Sequence, residues 1–115
     1  GAVFAANYLV TALATAERLL EQAGLPRGTA REALAPLARA TLENVAAMGP
    51  EAALTGPVAR GDAETVRRNR AALGAEDRRL YDALARATLV LAKTKGLSSA
   101  AEAALLAALA EGRTP

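Results

Sequence analysis

Alanine is the residue that most constrains the fold of this chain. It occupies 32 of the 115 positions, whereas aromatic residues make up only 3%. Alanine and leucine dominate the apolar residues and favour helices, while the β-branched and aromatic residues typical of strands are few. Because no segment shows a strand pattern and a chain of this length builds one core, we expect a single all-α domain.

Glycine and proline divide the chain into five predicted helices. The first, 2–23, is apolar nearly all round and ends at Gly24, so we expect it to be a long central helix and the most buried one. The second begins at Thr29, which forms a capping box with Glu32. Pro36 within it predicts a kink, because proline removes a backbone hydrogen bond inside a helix.

Three further helices follow the loop-like passage 50–62. Asp62 caps the third helix, 63–73. The fifth begins at a capping box led by Ser99. The fourth, about 75–94, carries an apolar stripe that we expect to face the core, formed by Leu80, Leu84, Ala87 and Leu91.

The composition excludes several kinds of chemistry. The chain has no Cys and no His, so thiolate nucleophiles, disulfides, Cys/His metal sites and His-based proton relays are absent. The formal net charge of +2 is too small to imply an obligate nucleic-acid or anionic-membrane partner. No segment is long and apolar enough to cross a membrane, and we find no export or lipidation signal. We therefore expect a cytoplasmic protein that binds no metal.

Two polar residues stand within the apolar helices. Asn7 lies on the most hydrophobic helix, where burial of its amide would require a hydrogen-bond partner. The backbone of a neighbouring helix would satisfy the amide, and so would a bound ligand. Asn44 allows the same two interpretations. The packing role is the favoured one for both residues, and more strongly for Asn44 than for Asn7.

The passage before the third helix carries a candidate anion site. Arg60 provides a permanent cation beside the N-terminus of the Asp62-capped helix, where backbone N–H groups favour anions. Gly56 and Gly61 permit unusual backbone geometry, and Pro57 stiffens the passage. The alternative is a structural turn in which Asp62 itself occupies those N–H groups while Arg60 is solvated or paired. Sequence pattern alone favours neither interpretation.

A basic run at 67–70 could in principle contact nucleic acid. No aromatic residue lies within the run and acidic residues flank it, so a solvated helix face is the favoured interpretation. The tripeptide Arg60-Gly61-Asp62 also occurs in cell-adhesion ligands. A chain without an export signal or cysteine gives that interpretation little support.

Three pieces of the sequence resemble a known family: Ala53-Leu54-Thr55-Gly56-Pro57-Val58-Ala59-Arg60-Gly61-Asp62, Asn7-Tyr8-Leu9 and Asn44. The chain resembles, over 2–91, the C-terminal helical domain of unknown function that follows a Rossmann-like nucleotide-binding domain in a group of bacterial oxidoreductases. The resemblance implies the fold of the 6-phosphogluconate dehydrogenase C-terminal-like superfamily. That fold is similar to the dimerising half of pyrroline-5-carboxylate reductase and related to ketopantoate reductase.

The resemblance also implies a division of labour. A Rossmann-like half, expected upstream, would hold NAD(P), while the helical domain, 1–111, would form a homodimer and close the substrate cleft. The family's usual histidines are missing, since one would precede Gly1 and the other is replaced by Asn69. The resemblance therefore assigns no catalytic residue here, and no cofactor-binding residue, because no Gly-x-Gly-x-x-Gly follows a strand. By position, the substrate-binding residues would be Asn7, Thr55, Gly56, Pro57, Arg60 and Asp62.

These observations give one leading function and two rivals. The leading hypothesis is a dimerisation and substrate-cleft domain of an NAD(P)-dependent oxidoreductase, inactive alone, with a small acidic metabolite as ligand and no nucleic-acid or membrane partner. A freestanding all-α protein-protein interaction module is the alternative. A nucleic-acid binder that uses the basic face at 67–79 is a third, weaker option. The tail at 112–115 is expected to fray.

Overall fold

The computed structural model describes residues 1–112, which form helices and connecting turns without any strand. The all-α expectation is therefore confirmed over this range. Of the predicted frayed tail, 113–115 lie outside the described residues. The helices are α1 (Ala2–Ala5), α2 (Asn7–Gln22), α3 (Thr29–Met48), α4 (Pro50–Ala53), α5 (Pro57–Arg60), α6 (Ala63–Ala71), α7 (Ala75–Thr94) and α8 (Ser99–Ala110).

The described helices outnumber the five predicted for two reasons. The first predicted helix is interrupted at Ala6, whose dihedral angles of φ −121° and ψ −70° leave the helical region. The passage predicted as a loop contains α4 and α5, which start at Pro50 and Pro57, each directly after a glycine. Proline is favoured at the first helical position, because the N–H that it lacks has no partner there anyway. The Gly-Pro pairs thus start helices as well as ending them.

Contacts between Cα atoms divide the chain into two compact units, described separately below. The N-terminal unit comprises Gly1–Ala47, and the C-terminal unit begins at Met48 and is described as far as residue 112. The predicted domain bounds, 1–111 with a Rossmann-like domain upstream, stay a prediction.

The N-terminal unit consists of two long amphipathic helices joined by a tight turn. After α2, the N–H of Leu25 donates to the carbonyl of Leu20 at 3.1 Å, and Gly24 has a φ of +113°. This hydrogen bond and positive φ are typical of the glycine-terminated helix end that the sequence predicts. Arg31 of α3 donates two hydrogen bonds to the Glu17 carboxylate of α2, at 2.7 and 3.1 Å.

This unit has no apolar core of its own. Among 1–47, all of which are described, only Ala30 is buried. The expectation that the first helix is the most buried is wrong, because no residue of α1 or α2 is buried. The exposed large apolar side chains of the unit are Val3, Phe4, Tyr8, Leu9, Val10, Leu37, Leu42 and Val45. The apolar character of the first helix is therefore displayed to solvent in this chain.

The C-terminal unit, in contrast, encloses a small-sided core. Leu105 and Leu109 of α8 and Val66 of α6 are the largest fully buried side chains, and α6 packs against α8. The remaining buried apolar residues are Val58, Ala85, Leu89, Ala92 and Ala108. Alanine at three of these positions lets the helix backbones approach closely, as the composition predicts.

The buried face of α7 differs from the predicted one. The helix occupies the predicted range, but it buries Asp82, Ala85, Leu89 and Ala92, while Leu80, Leu84 and Ala87 of the predicted stripe are exposed. That buried face carries an ion pair that helical periodicity cannot predict. Arg70 of α6 is also buried and donates to both carboxylate oxygens of Asp82, at 2.6 and 3.0 Å.

Helix starts follow the predicted caps to within one residue. Asp62 caps α6 as predicted, whereas the cap of α8 is Ser98 and not Ser99: the Ser98 hydroxyl accepts from the N–H of Ala101 at 3.1 Å. No helix among the described residues is both long and apolar enough to cross a membrane.

Candidate functional site

The predicted loop site is organised by the one-turn helix α5. Gly56, with a φ of +95°, turns the chain into this helix, and Pro57 occupies its first position. Thr55, just before, is exposed, and Arg60 is the last helical residue. The loop residues Thr55, Gly56, Pro57, Arg60 and Asp62 therefore form one continuous turn-helix-turn in the C-terminal unit.

Gly61 is required at the end of α5 for two independent reasons. Its φ of +70° is one that other residues rarely adopt, and it allows the N–H of Asp62 to donate to the Pro57 carbonyl at 2.8 Å. A Cβ atom on Gly61 would also lie 2.9 Å from the Cβ of Ala101 on α8. The glycine thus sets the direction of the chain and the close approach of the loop to α8.

Asp62 fills the N-terminus of α6 with its own carboxylate. One oxygen accepts from the Thr65 backbone N–H at 3.0 Å, and the other accepts from the Thr65 hydroxyl at 2.6 Å. These two hydrogen bonds, with a smaller contribution from the charge of Arg60, lower the pKa of the Asp62 carboxyl. The Arg60 guanidinium lies 3.6 Å from the same carboxylate. This geometry matches the structural-turn interpretation, in which Asp62 occupies the helix N-terminus and pairs with Arg60.

Arg60 nonetheless keeps one side open to solvent. Its side chain is 62% exposed, and it borders a cavity of about 400 Å³ together with Lys95, Ser98 and Ala101. Lys95 holds the chain before α5, since its ammonium donates to the Leu54 carbonyl at 2.7 Å. An arginine and a lysine therefore border the cavity, which suits an anionic group. The sequence analysis missed Lys95, because nothing local links it to a loop about forty residues away.

Asn7 lies in the other unit and is exposed at the first position of α2. The expectation that its amide is buried and needs a partner is wrong, and Asn44 on α3 is exposed as well. The backbone carbonyl of Asn7 accepts from the Thr11 hydroxyl at 3.4 Å. Convergence of Asn7 with the loop stays a prediction.

The basic run of α6 is only partly a solvated face. Arg68 and Asn69 are exposed, and Arg67 donates to Glu111 at 2.7 Å. Arg70 corrects the prediction of a uniformly basic outer face, because it is only 5% exposed and is paired with Asp82. Burial of a charged side chain is tolerated when its partner is buried with it.

Potential metal ligands do not cluster in the part of the chain that the structure describes, where no group of three or more acidic residues could hold an ion. The loop region offers an arginine, a lysine, a threonine hydroxyl and the Asp62 carboxylate. Such groups can bind and orient a ligand.

Comparison with known families places this all-helical chain in a family whose activity is undefined. The model of the family described as "Domain of unknown function (DUF2520)" matches residues 1–88. The chain belongs to this family, which confirms the expected membership of a family of unknown function. No curated protein and no solved structure matches the chain.

Proposed function

We propose that this chain is the dimerisation and substrate-cleft domain of an NAD(P)-dependent oxidoreductase whose cofactor is held by a separate Rossmann-like domain. The observation that carries the proposal is the uncovered apolar surface of the N-terminal unit. The resemblance of the loop and of Asn7-Tyr8-Leu9 to helical domains of such enzymes supplies the chemical context. The finer fold assignment, to the 6-phosphogluconate dehydrogenase C-terminal-like superfamily, belongs to the same proposal.

The N-terminal unit exposes large apolar side chains on each of its helices. Phe4 is 74% exposed, Val10 is 67% exposed and Leu37 is 64% exposed, on three successive helices. Phe4 and Tyr8 stack edge to face with ring centroids 5.0 Å apart, which makes a preformed aromatic anchor. Contiguous exposed apolar patches on a small domain mark association surfaces. A second copy of the chain is the proposed partner, because two-fold homodimers are the commonest way of covering such a face.

The C-terminal unit exposes further large apolar side chains. Leu84 is 54% exposed and Val90 is 66% exposed on α7, whose core-facing side is already buried. The two side chains lie on different sides of the helix, because six residues turn it by about 240°. A helix that is apolar on several sides needs protein on more than one of them. These side chains support the same conclusion independently of the N-terminal unit.

The loop supplies the proposed cleft function. Arg60 would orient an acidic metabolite or a cofactor phosphate, while Thr55 adds a hydroxyl and Gly56, Pro57 and Gly61 hold the loop shape. The proposed role of Arg60 is to position the ligand, because its guanidinium offers fixed hydrogen-bond donors and the chain contains no His.

Analytical ultracentrifugation of matched α3 variants tests the dimer. We expect the chain to sediment as a dimer at tens of micromolar, and Leu37→Glu to shift it to monomer by placing a charge in the apolar face. Arg39→Glu, on the opposite side of α3, adds a negative charge outside that face and should remain dimeric. A monomeric wild-type chain, or equal effects of the two variants, would contradict the proposal.

Calorimetric titration of the longer protein that includes the Rossmann-like half tests the cleft. Arg60→Ala should weaken binding of acidic metabolites or dinucleotides by about 1.5–3 kcal/mol, the range for a lost hydrogen bond to a charged group. Asn7→Leu should weaken binding of the same ligand without lowering the stability of the folded protein. Unchanged affinity in both variants would reduce the loop to scaffold.

The alternative, a freestanding interaction module, rests on the same exposed apolar faces with a different protein as occupant. The coding sequence upstream of Gly1 separates the two. A strand followed by a glycine-rich turn supports the oxidoreductase, and a start codon immediately before Gly1 supports the module.

A further inference from the structure

The C-terminal unit contains a second basic cavity that the proposed function does not use. It encloses about 840 Å³ and is lined by Arg70, Arg78, Arg79 and Arg86, together with Asp82. Its volume lies within the range of small-molecule sites, about 300–1,000 Å³. Four arginine residues therefore line one cavity, with a single acidic residue among the lining residues.

The carboxylate is already fully engaged. Both oxygens of Asp82 accept from Arg70, which also donates to the Ala108 carbonyl at 2.8 Å. This buried pair is electrically neutral and forms part of the cavity wall. The positive charge of the other three arginines is therefore not cancelled from within the cavity.

The remaining arginines differ in how far they are satisfied. Arg78 donates to the backbone carbonyls of Arg70 and Leu73, at 3.0 and 2.9 Å, but meets no negative charge there. Arg79 lies 3.9 Å from Glu76, and both side chains are largely exposed, so the pair is weak. Arg79 is free to reorient toward a bound anion.

Arg86 provides the observation that points most directly to a ligand. Its Nε atom is buried, and among the described residues it is the one buried side-chain polar atom without a hydrogen-bond partner. A desolvated donor on a permanent cation is costly to leave unpaired, and an anionic oxygen would satisfy it once a small shift of the Arg86 side chain opens Nε to the cavity. A cluster of cations around an unsatisfied donor is the arrangement that an anion stabilises.

We propose that this arginine-lined cavity binds a small phosphate-bearing molecule through Arg78, Arg79 and Arg86. A phosphate monoester carries about −1.5 to −2 charge at neutral pH and three acceptor oxygens, which matches several arginines lining one cavity better than the two oxygens of one carboxylate. The proposal does not depend on the proposed role in subunit association or on Arg60.

Isothermal titration calorimetry with inorganic pyrophosphate tests the site, at constant ionic strength and with malonate as the dicarboxylate probe. We expect saturable binding of pyrophosphate with one molecule per chain, and weaker binding of malonate. Arg86→Met should lower the affinity for pyrophosphate by about tenfold or more, the loss expected for a hydrogen bond to a charged group. Arg68→Met removes an arginine of the same unit that does not line the cavity, and should leave the affinity unchanged.

Stability of the same variants gives a second readout. Arg86→Met keeps the apolar stem and removes the unpaired donor, so the unliganded variant should unfold at an equal or higher temperature than the wild type while binding pyrophosphate less well. Arg79→Gln, at an exposed position, should also weaken pyrophosphate without unfolding the protein.

Four results would overturn the proposal. They are the absence of saturable pyrophosphate binding, malonate binding as tight as pyrophosphate, an equal loss of affinity in Arg68→Met and Arg86→Met, and binding of a single-stranded oligonucleotide that both variants weaken alike. The last result would show that these arginines contribute to a nucleic-acid-binding surface instead.

Discussion

The two units of this chain contain the same types of residue but place them differently with respect to solvent. The N-terminal unit places its large apolar side chains on exposed helix faces and buries only Ala30, whereas the C-terminal unit encloses Leu105, Leu109 and Val66 completely. Each unit also contains a two-pronged arginine-carboxylate pair. Arg31 and Glu17 meet at the surface, and Arg70 and Asp82 meet in the interior. Identical chemistry therefore contributes differently according to how much water remains around it.

The interior ion pair should give the largest effect. Asp82→Ala leaves Arg70 buried without a counter-charge, so we expect urea unfolding to show a loss of about 3–5 kcal/mol. Glu17→Gln in the exposed pair should cause no measurable change. The double change Arg70→Met with Asp82→Leu should recover most of the loss, because it removes both charges. Equal losses of unfolding free energy in Asp82→Ala and Glu17→Gln would contradict the difference between the buried and the exposed ion pair.

Truncation of a leucine should affect stability very differently in the two units. Leu105→Ala opens a cavity in the packed unit and should cost about 2–5 kcal/mol. Leu37→Ala, at a side chain that is 64% exposed, should leave the unfolding of the monomer unchanged and alter association alone. Calorimetric melting at concentrations below dimer formation separates the two outcomes, and a large loss in Leu37→Ala would show that α3 has a covered face.

Two glycine-terminated helix ends sharpen the comparison at the backbone. Gly24→Ala places a side chain at φ +113° in open space and should cost about 1–3 kcal/mol of backbone strain. Gly61→Ala adds a clash with Ala101 to the strain and should cost more. Urea midpoints for the two variants would be equal if α8 could move away, which would contradict the tight packing of the C-terminal unit.

Two carboxyl groups provide the smallest and most local comparison. Hydrogen bonding to Arg31 lowers the pKa of Glu17 below its ordinary 4.5, and hydrogen bonding to Thr65 lowers the pKa of Asp62 below 3.8. A depressed folded-state pKa stabilises the protein above the unfolded value, and this stability is lost as the pH falls through the folded value. Titration by NMR should show Arg31→Gln raising the pKa of Glu17 and Thr65→Val raising that of Asp62. High salt should raise the Glu17 value more, because its partner is an exposed charge.

The local features of this protein could be predicted from its sequence. The range of α7, the helix end at Gly24 and the Asp62 cap were all predicted, because each depends on residues within one helical turn. The pairing of Arg60 with Asp62 could also be anticipated. The two residues are only two positions apart, so the sequence offered this pair as one of two interpretations of the loop.

Only the tertiary structure decided which faces are buried. Helical periodicity favoured Leu80 and Leu84 as the inner side of α7, but the structure buries the side that carries Asp82, which pairs with Arg70 of α6. The sequence could likewise not predict that Lys95 lies beside Arg60 or that Nε of Arg86 is buried without a partner. Helix ends marked by glycine or a capping residue were predictable because those signals act within a turn, whereas the break at Ala6 and the short helices α4 and α5 were not predicted. Burial depends on what a distant segment presents, and only packing brings the two together.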